Sequence, residues 1–277
     1  MVGNDQIGGA RFIYMSQINL GGKGYTTGLG QNYTQNGPTY NRYANEGITW
    51  EVGAKFNVGM DVQLFRSLNF TVEYFRENRK NIFQQQATIP NYLGTATTAV
   101  YGNLAKMKNQ GIDLSLGYDK KLGKDFVNFK GTFTYAHNEI VACDESPAFP
   151  FQSRVGVSMN VVKGYLSDGL FIDQAEADNY NQQLGQLVKA GDIKYKNISK
   201  IRGYDDEIIN TDDWVWLGNP TVPEIVYGFG PSFKWRNLDF SFFFQGVAKT
   251  SLFISDFHPF GNSSLRNVLQ WVADAHW

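Results

Sequence analysis

Between Trp50 and Leu64 apolar and polar residues alternate. Trp50, Val52, Ala54, Phe56, Val58, Met60, Val62 and Leu64 fill one register, and Glu51, Gly53, Lys55, Asn57, Gly59, Asp61 and Gln63 fill the other. A two-residue period places these sets on opposite faces of one β-strand. Strands of soluble domains usually end near five or six residues, whereas a tilted strand crossing a bilayer needs roughly 9–11. This run exceeds both, and its polar register carries the charges Glu51, Lys55 and Asp61. The pattern predicts a stave of a transmembrane barrel. Val52, Phe56, Val58 and Val62 would face lipid, and Glu51, Lys55, Asp61 and Gln63 an aqueous lumen.

The same period recurs. Leu68, Phe70, Val72 and Tyr74 form one row, Ile112, Leu114, Leu116 and Tyr118 a second, and Val127, Phe129, Phe133 and Tyr135 a third. Tyr227, Phe229, Phe233 and Trp235 make a fourth, and Leu238, Phe240, Phe242 and Phe244 a fifth, with a weaker candidate at Arg11 to Ile18. Arg66-Ser67, Lys120 to Asp125 and Arg236-Asn237 are hairpin-length links. The other connections are long: Asn19 to Thr49, Gln84 to Gln110, Ala142 to Glu224, and Ile254 onward. Structureless loops above about 12–15 residues are uncommon in compact soluble domains. Short turns at one end and long loops at the other are the asymmetry of outer-membrane barrels, with the turns periplasmic. The predicted fold is therefore all-β: a partial antiparallel transmembrane β-barrel of about seven long strands. The strand from Trp50 runs inward. Within the loops, Gly21-Gly22-Lys23-Gly24 and Gln35-Asn36-Gly37-Pro38 read as irregular, and Asp173 is placed to cap a short helix over Gln174 to Asp178.

Composition narrows the class. The chain has 277 residues, a net charge of −1 and 42% hydrophobic residues, without a run of about 18 apolar residues. Helical membrane spans and a basic field for nucleic acid are not expected. Aromatic residues reach 15%, which fits barrel girdles, and Trp50, Phe65, Phe126 and Trp235 fall near strand ends, where such belts sit. The residues after Met1 lack the charged and apolar regions of a signal peptide. An outer-membrane reading therefore implies that the chain lacks its natural N-terminus. His137, His258 and His276 are widely separated, and Cys143 has no orienting partner in sequence, so no catalytic set is expected. The rival classes are a soluble β-rich surface binding or adhesion protein and a β-fold carbohydrate-active enzyme. For the latter no catalytic pair is visible.

Seven segments then carry a family resemblance: Ile48-Thr49-Trp50-Glu51, Asn69 to Phe75, Ile89-Pro90, Asn109-Gln110-Gly111-Ile112-Asp113-Leu114-Ser115-Leu116, Gly164-Tyr165-Leu166-Ser167-Asp168-Gly169-Leu170-Phe171, Gly191-Asp192-Ile193-Lys194-Tyr195-Lys196, and Leu238 to Gly246. Their order and spacing resemble the C-terminal barrel region of SusC/RagA-type TonB-linked outer-membrane transporters of the Bacteroidetes, over roughly Gly47 to Trp277. The resemblance implies a 22-stranded barrel with an N-terminal plug in the complete protein. It also implies a SusD-like lid lipoprotein and import of oligosaccharides or peptides with energy delivered by TonB. On this reading residues 1–277 are a partial barrel, with the plug, the TonB-contacting segment and the final strands absent.

The resemblance also implies sites. Relatives carry an acidic loop after the Gly-Asp-Ile-Lys-Tyr segment that looks like a calcium site. Here Asp205, Asp206, Asp212 and Asp213 are the candidate ligands, weighed against a solvated acidic loop, because the Asp-Gly step is missing. No other cofactor is expected. Among the loop aromatics Tyr25, Tyr33, Tyr40, Tyr43, Tyr92, Tyr101, Trp214 and Trp216, the candidates for ligand contact are Tyr92, Tyr101, Trp214 and Trp216. The alternative is that they pack loops together and onto the lid.

Overall fold

The computed structural model describes residues 2–4, 12, 14–89, 100–204, 207–253 and 270–274. They divide into two units: a sheet unit (1–147, 153–159, 224–247) and a loop unit (148–152, 160–223, 248–277).

The strands of the sheet unit are β1 (Val2–Asn4), β2 (Gln17–Thr27), β3 (Tyr33–Arg42), β4 (Glu51–Leu64), β5 (Leu68–Gln85), β6 (Tyr101–Leu122) and β7 (Asp125–Ala142). In the loop unit lie β8 (Val162–Gly164), β9 (Ser167–Leu170), β10 (Gln182–Gln183), β11 (Ile193–Tyr195), β12 (Ile208–Ile209) and β13 (Val215–Leu217). The sheet unit resumes with β14 (Ile225–Trp235) and β15 (Leu238–Ser241), followed by β16 (Phe244–Ala248). The main sheet is antiparallel and runs β1-β4-β5-β6-β7-β14-β15, with β16 also on β14. No helix among the described residues is long and apolar enough to cross a membrane, which bears on helical spans alone.

Directly opposed residues in an antiparallel sheet share a face, so the ladder extends the alternation of β4 across the whole sheet. Val62, Phe70, Leu116, Gly131 and Phe229 form one register row, and Met60, Val72, Leu114, Phe133 and Tyr227 the next. The opposite face carries Asp61, Thr71, Ser115 and Thr132, then Gly59, Glu73, Asp113 and Thr134. Neither face is covered. Phe56, Val58, Met60, Leu116, Phe229 and Phe233 are all exposed, and Ala105 and Ile140 are the apolar side chains described as buried in this sheet, neither of them fully. A sheet of this size with no core under it needs an apolar medium on its greasy face.

The turns follow from local chemistry. Gly123-Lys124 closes β6–β7 with Gly123 at φ 69°, the conformation that the first central position of a two-residue hairpin asks for and glycine supplies. Phe65 and Arg66 take φ values of 54° and 55°, and Ser67 donates its amide to the Leu64 carbonyl at 3.1 Å. At the third turn Arg236 has φ 54° and gives its amide to Asp125 Oδ1 at 2.8 Å.

Several expectations are corrected. Leu238 to Phe244 is not one strand. Pro231 points its missing N–H towards this neighbour, so the ladder breaks between β15 and β16, and Phe242 donates to the Pro231 carbonyl at 3.3 Å. The weak candidate from Arg11 is also not a barrel strand. Its described end, Gln17 and Ile18, opens β2, which pairs with β3 outside the main sheet, while β1 takes the edge beside β4. The glycine-rich stretches Gly21 to Gly24 and Gln35 to Pro38 are not irregular but lie within β2 and β3. The ladder there slips register twice around Gly22, and a side chain at Gly24 would overlap the Gln35 carbonyl, so glycine permits the close approach. Finally, both ends of Gln84 to Gln110 are strand. β5 continues to Gln85 and β6 starts at Tyr101.

The loop unit has what the sheet lacks, a small core of its own. Phe171, Ile209, Ser199 and Asp213 are fully buried, with Ala177 and Ile198 nearly so. Helix α1 (Gln174–Asn179) starts where expected, with Asp173 accepting from the Glu176 amide at 2.7 Å. The unit also holds α2 (Ile198–Ile201) and α3 (Gln270–Asp274).

Candidate functional site

On the polar face of the sheet, Glu51, Lys55, Asp61 and Gln63 project together as the alternation of β4 requires. Pairing with β5 supplies partners that a reading of β4 alone does not reveal. Arg79 bridges Glu51 at 3.2 Å and Glu77 at 2.8 Å, and Lys55 reaches Glu77 at 3.9 Å. Thr71 donates its hydroxyl to Asp61 at 2.6 Å, and Gln63 lies opposite Asn69. Glu73 and Asp113 stand directly opposed one strand further on. Phe75 is an aromatic residue on this face. Its ring lies over Gly111, where a β-carbon would meet the ring and the Tyr135 carbonyl. Val52, Phe56, Val58 and Val62 share the other face.

The loop unit offers a second site. A cleft of about 350 Å³ is lined by Asp168, Tyr180, Asn181, Lys196, Asn197, Lys200 and Ile201. The ends of β9, β11 and α2 bring these residues together. Asn197 caps α2 by accepting the Lys200 amide at 2.7 Å, and Lys196 pairs with Asp168 at 3.3 Å. Tyr180 packs edge-on against the buried Phe171 and donates its hydroxyl to the Tyr195 carbonyl at 2.8 Å. Burial pushes the Tyr180 phenol above its ordinary range, and Asp168 adds to the shift. Beside this hydrogen bond the Tyr195 ring meets Tyr165 at 5.1 Å, and Tyr165 meets Trp214 edge-on at 5.8 Å. Tyr165, too, is pushed up by burial. The result is a run of aromatic rings ending at a polar cleft with both signs of charge. Such a surface suits stacking on sugar rings or gripping a peptide backbone.

Of the four aromatic candidates, Trp214 belongs to this run and is more than one-third exposed. Trp216 faces Lys163 across the β8–β13 pair, with the ammonium 4.8 Å from its ring centroid. Tyr101 stacks flat on Phe83 at 5.0 Å and carries the carbonyl that accepts from Asn45, a packing arrangement. Tyr92 lies outside the described residues. Sequence reasoning missed Tyr165, Tyr180 and Tyr195. Tyr165 and Tyr195 belong to the quoted Gly164 and Gly191 segments, so their position within those motifs was the available signal.

Of the four candidate calcium ligands, Asp212 and Asp213 are among the described residues. Asp205 and Asp206 lie outside them. Asp213 is fully buried and its carboxylate is already used: Oδ1 accepts from the Ser199 amide and Oδ2 from the Asn210 amide, both at 2.9 Å. Asp212 lies in the same capped turn, and no group of three metal-ligating side chains forms among the described residues. Asp213 thus acts as a clasp between α2 and the 211–213 turn.

After β7 the chain is held by two carboxylates. Asp144 accepts from the amides of Ala87 and Thr88 and from the Thr88 hydroxyl at 2.7, 3.2 and 2.8 Å. Glu145 accepts from Ser153 and from the Arg154 amide. Burial, with Glu145 alongside, pushes the Cys143 thiol up, which makes it a poor nucleophile.

A sequence profile described as TonB dependent receptor-like, beta-barrel, matches residues 19–247. TonB-dependent receptor P26 of Formosa agariphila is 27% identical over 226 residues, covering 77% of this chain and 22% of the relative. TonB-dependent receptor P3 of the same organism is 22% identical over 226 residues, covering 76% and 22%. The chain therefore spans about a fifth of the length of these relatives. Among solved structures, the RagAB peptide importer in its open-open state matches with a TM-score of 0.61 at 18% identity, covering 90% of this chain and 25% of that one. Its closed-closed state gives 0.59 at 18%, covering 90% and 26%. The likeness is one of fold.

Proposed function

The chain belongs to the TonB dependent receptor-like β-barrel family of the outer membrane, and from that premise we propose that it supplies wall strands and ligand-contacting loops to a transporter importing oligosaccharides or peptides. In this reading the apolar face meets lipid, and the face with Glu51, Lys55, Asp61 and Gln63 lines the aqueous conduit. Residues 1–277 form part of a larger barrel whose plug and remaining strands complete it. A SusD-like surface lipoprotein would lid the assembly, and TonB would act through the plug region. The mechanism is gated binding without a covalent step. Aromatic rings capture ligand, and solute then passes along the polar face.

The observation that carries this reading is the inverted burial pattern. The long strands expose their apolar face, whereas the short-stranded loop unit has a buried core. A soluble adhesion protein would put its core under the long strands instead. The structural neighbour RagAB is a peptide importer, which favours peptide as the first ligand class to try. Paired uptake assays with labelled oligopeptides and oligosaccharides, on intact cells carrying Trp214→Ala or Tyr165→Ala, test the loop site. Loss of uptake of one ligand class with normal surface expression is expected. Unchanged uptake of both classes would remove the aromatic run as the ligand site.

A further inference from the structure

The apolar face ends on a belt of cations. Along β5 the apolar register Leu68, Phe70, Val72 and Tyr74 continues as Arg76, Asn78 and Lys80, all exposed. Tyr74 lies opposite Ile112 and, through it, Tyr135, the last apolar row shared by β5, β6 and β7. The next row holds Arg76, Gln110 and His137, with Phe56 beside Arg76 on β4, and the one after it Asn78, Lys108 and Glu139, with Ala54 on β4. On β6, Lys106 has the parity of Lys108 and is exposed. Four cations thus share this surface with two acids that already have partners there, Glu139, paired with Lys108 at 2.7 Å, and Glu224, paired with His137.

Arg76, Lys80 and Lys106 form no ion pair among the described residues. Arg79 on β5 and Lys55 on β4, both on the opposite face, are paired. The long loops leave from this end of the strands, which is the outer-leaflet side. From Arg76 to Lys80 the patch extends four residues, about 14 Å, and adjacent strands add about 5 Å each. That area matches a headgroup carrying more than one phosphate, for which an arginine fork and flanking lysines are suited donors.

We propose that Arg76, Lys80 and Lys106, with Lys108 beside them, form a binding patch on the outer wall for the phosphates of an outer-leaflet glycolipid. This rests on the assignment of the apolar face to lipid. The tyrosines sit at the boundary between chains and headgroups, and the cations engage the phosphates above it.

The test is lipid analysis of the intact transporter, purified in mild detergent from its own outer membrane. The wild type is compared with Arg76→Gln/Lys80→Gln/Lys106→Gln and with a charge-matched control, Lys121→Gln/Lys130→Gln/Lys189→Gln. Wild type and control are expected to retain phosphorylated glycolipid, with retention at least about tenfold lower in the patch variant and lower after a high-salt wash. Equal retention by all three would overturn the proposal, as would equal binding of the enzymatically dephosphorylated lipid. Displacement by inorganic phosphate alone, without lipid in the purified protein, would also overturn it. A lipid-exposure probe at Val72 separates this from failure of the wall assignment. If Val72 is in lipid and retention is unchanged, the patch alone is refuted; if Val72 is in water, the assignment beneath it falls.

Discussion

Replacing Leu116 by arginine puts a charge near the middle of the apolar face. Leu116 stands between Phe70 and Gly131 across the ladder, with Leu114 and Tyr118 before and after it on its own face. The nearest polar residue in its register on β6 is Lys120, four residues away, about 14 Å along the strand and farther than an arginine side chain extends. The new guanidinium cannot snorkel to water. A charge at the bilayer midplane of a β-barrel costs about 2–4 kcal/mol, equivalent to a roughly 30- to 900-fold fall in the folded-to-unfolded ratio. Ser115→Arg, one residue earlier, places the same charge beside Thr71 and Thr132 on the polar face and should cost about 0–1 kcal/mol. The assay is reversible urea unfolding of the intact barrel in lipid vesicles, followed by tryptophan fluorescence and heat-modifiable electrophoretic mobility. Equal effects of the two substitutions, or a larger one for Ser115→Arg, would refute the face assignment.

Asp213→Ala removes the acceptor of the buried Ser199 amide and of the half-buried Asn210 amide, and should destabilise the loop unit by about 2–4 kcal/mol. Limited proteolysis should then cut within residues 198–213 while the strands stay protected. Acid should release the clamp on Ala87 and Thr88. Burial alone would raise the Asp144 carboxyl, but hydrogen bonds from the Thr88 hydroxyl and the Ala87 and Thr88 amides outweigh it and hold it below the usual carboxylate range. A depressed native value means that this stabilisation is present above the unfolded carboxylate range and is lost as pH falls through the native value. Hydrogen exchange at Ala87 and Thr88 should therefore accelerate below about pH 4, and Asp144→Asn should remove the pH dependence.

The strands were legible where membrane and water impose a period of two. The bodies of β4 to β7 and β14 declare their register, and the short turns follow within Lys120 to Asp125, tightened in the structure to Gly123-Lys124, and at Arg236-Asn237. Legibility stopped where the apolar medium stops. Beyond Tyr74 the apolar register becomes Arg76, Asn78 and Lys80, so the period no longer marks the rest of β5, and the first part of β6, Tyr101 to Gln110, reads as loop. The break after Ser241 depended on the direction of the Pro231 N–H, which follows from the ladder and not from composition. In the loop site, Trp214 stood out by residue type alone. Tyr165, Tyr180 and Tyr195 did not, because three short strands and a helix of four residues bring them together from distant positions. The capping role of Asp213 was hidden for a related reason: a carboxylate that caps a turn and one that binds a cation look alike in sequence.

The height of the wall is already consistent with a bilayer. Ile225 to Trp235 spans ten residue steps, which at about 3.4 Å each and a tilt of about 40° project to about 26 Å, against an apolar band of about 25 Å. What remains is to see which medium each face meets. Single cysteines at positions 57 to 62, introduced into the intact transporter in a Cys143→Ser background, can be spin-labelled in native outer membranes and read for oxygen and water accessibility. The account predicts a strict two-residue alternation, with Val58, Met60 and Val62 in lipid and Asn57, Gly59 and Asp61 in water. Uniform water accessibility, or the opposite phase, would contradict it.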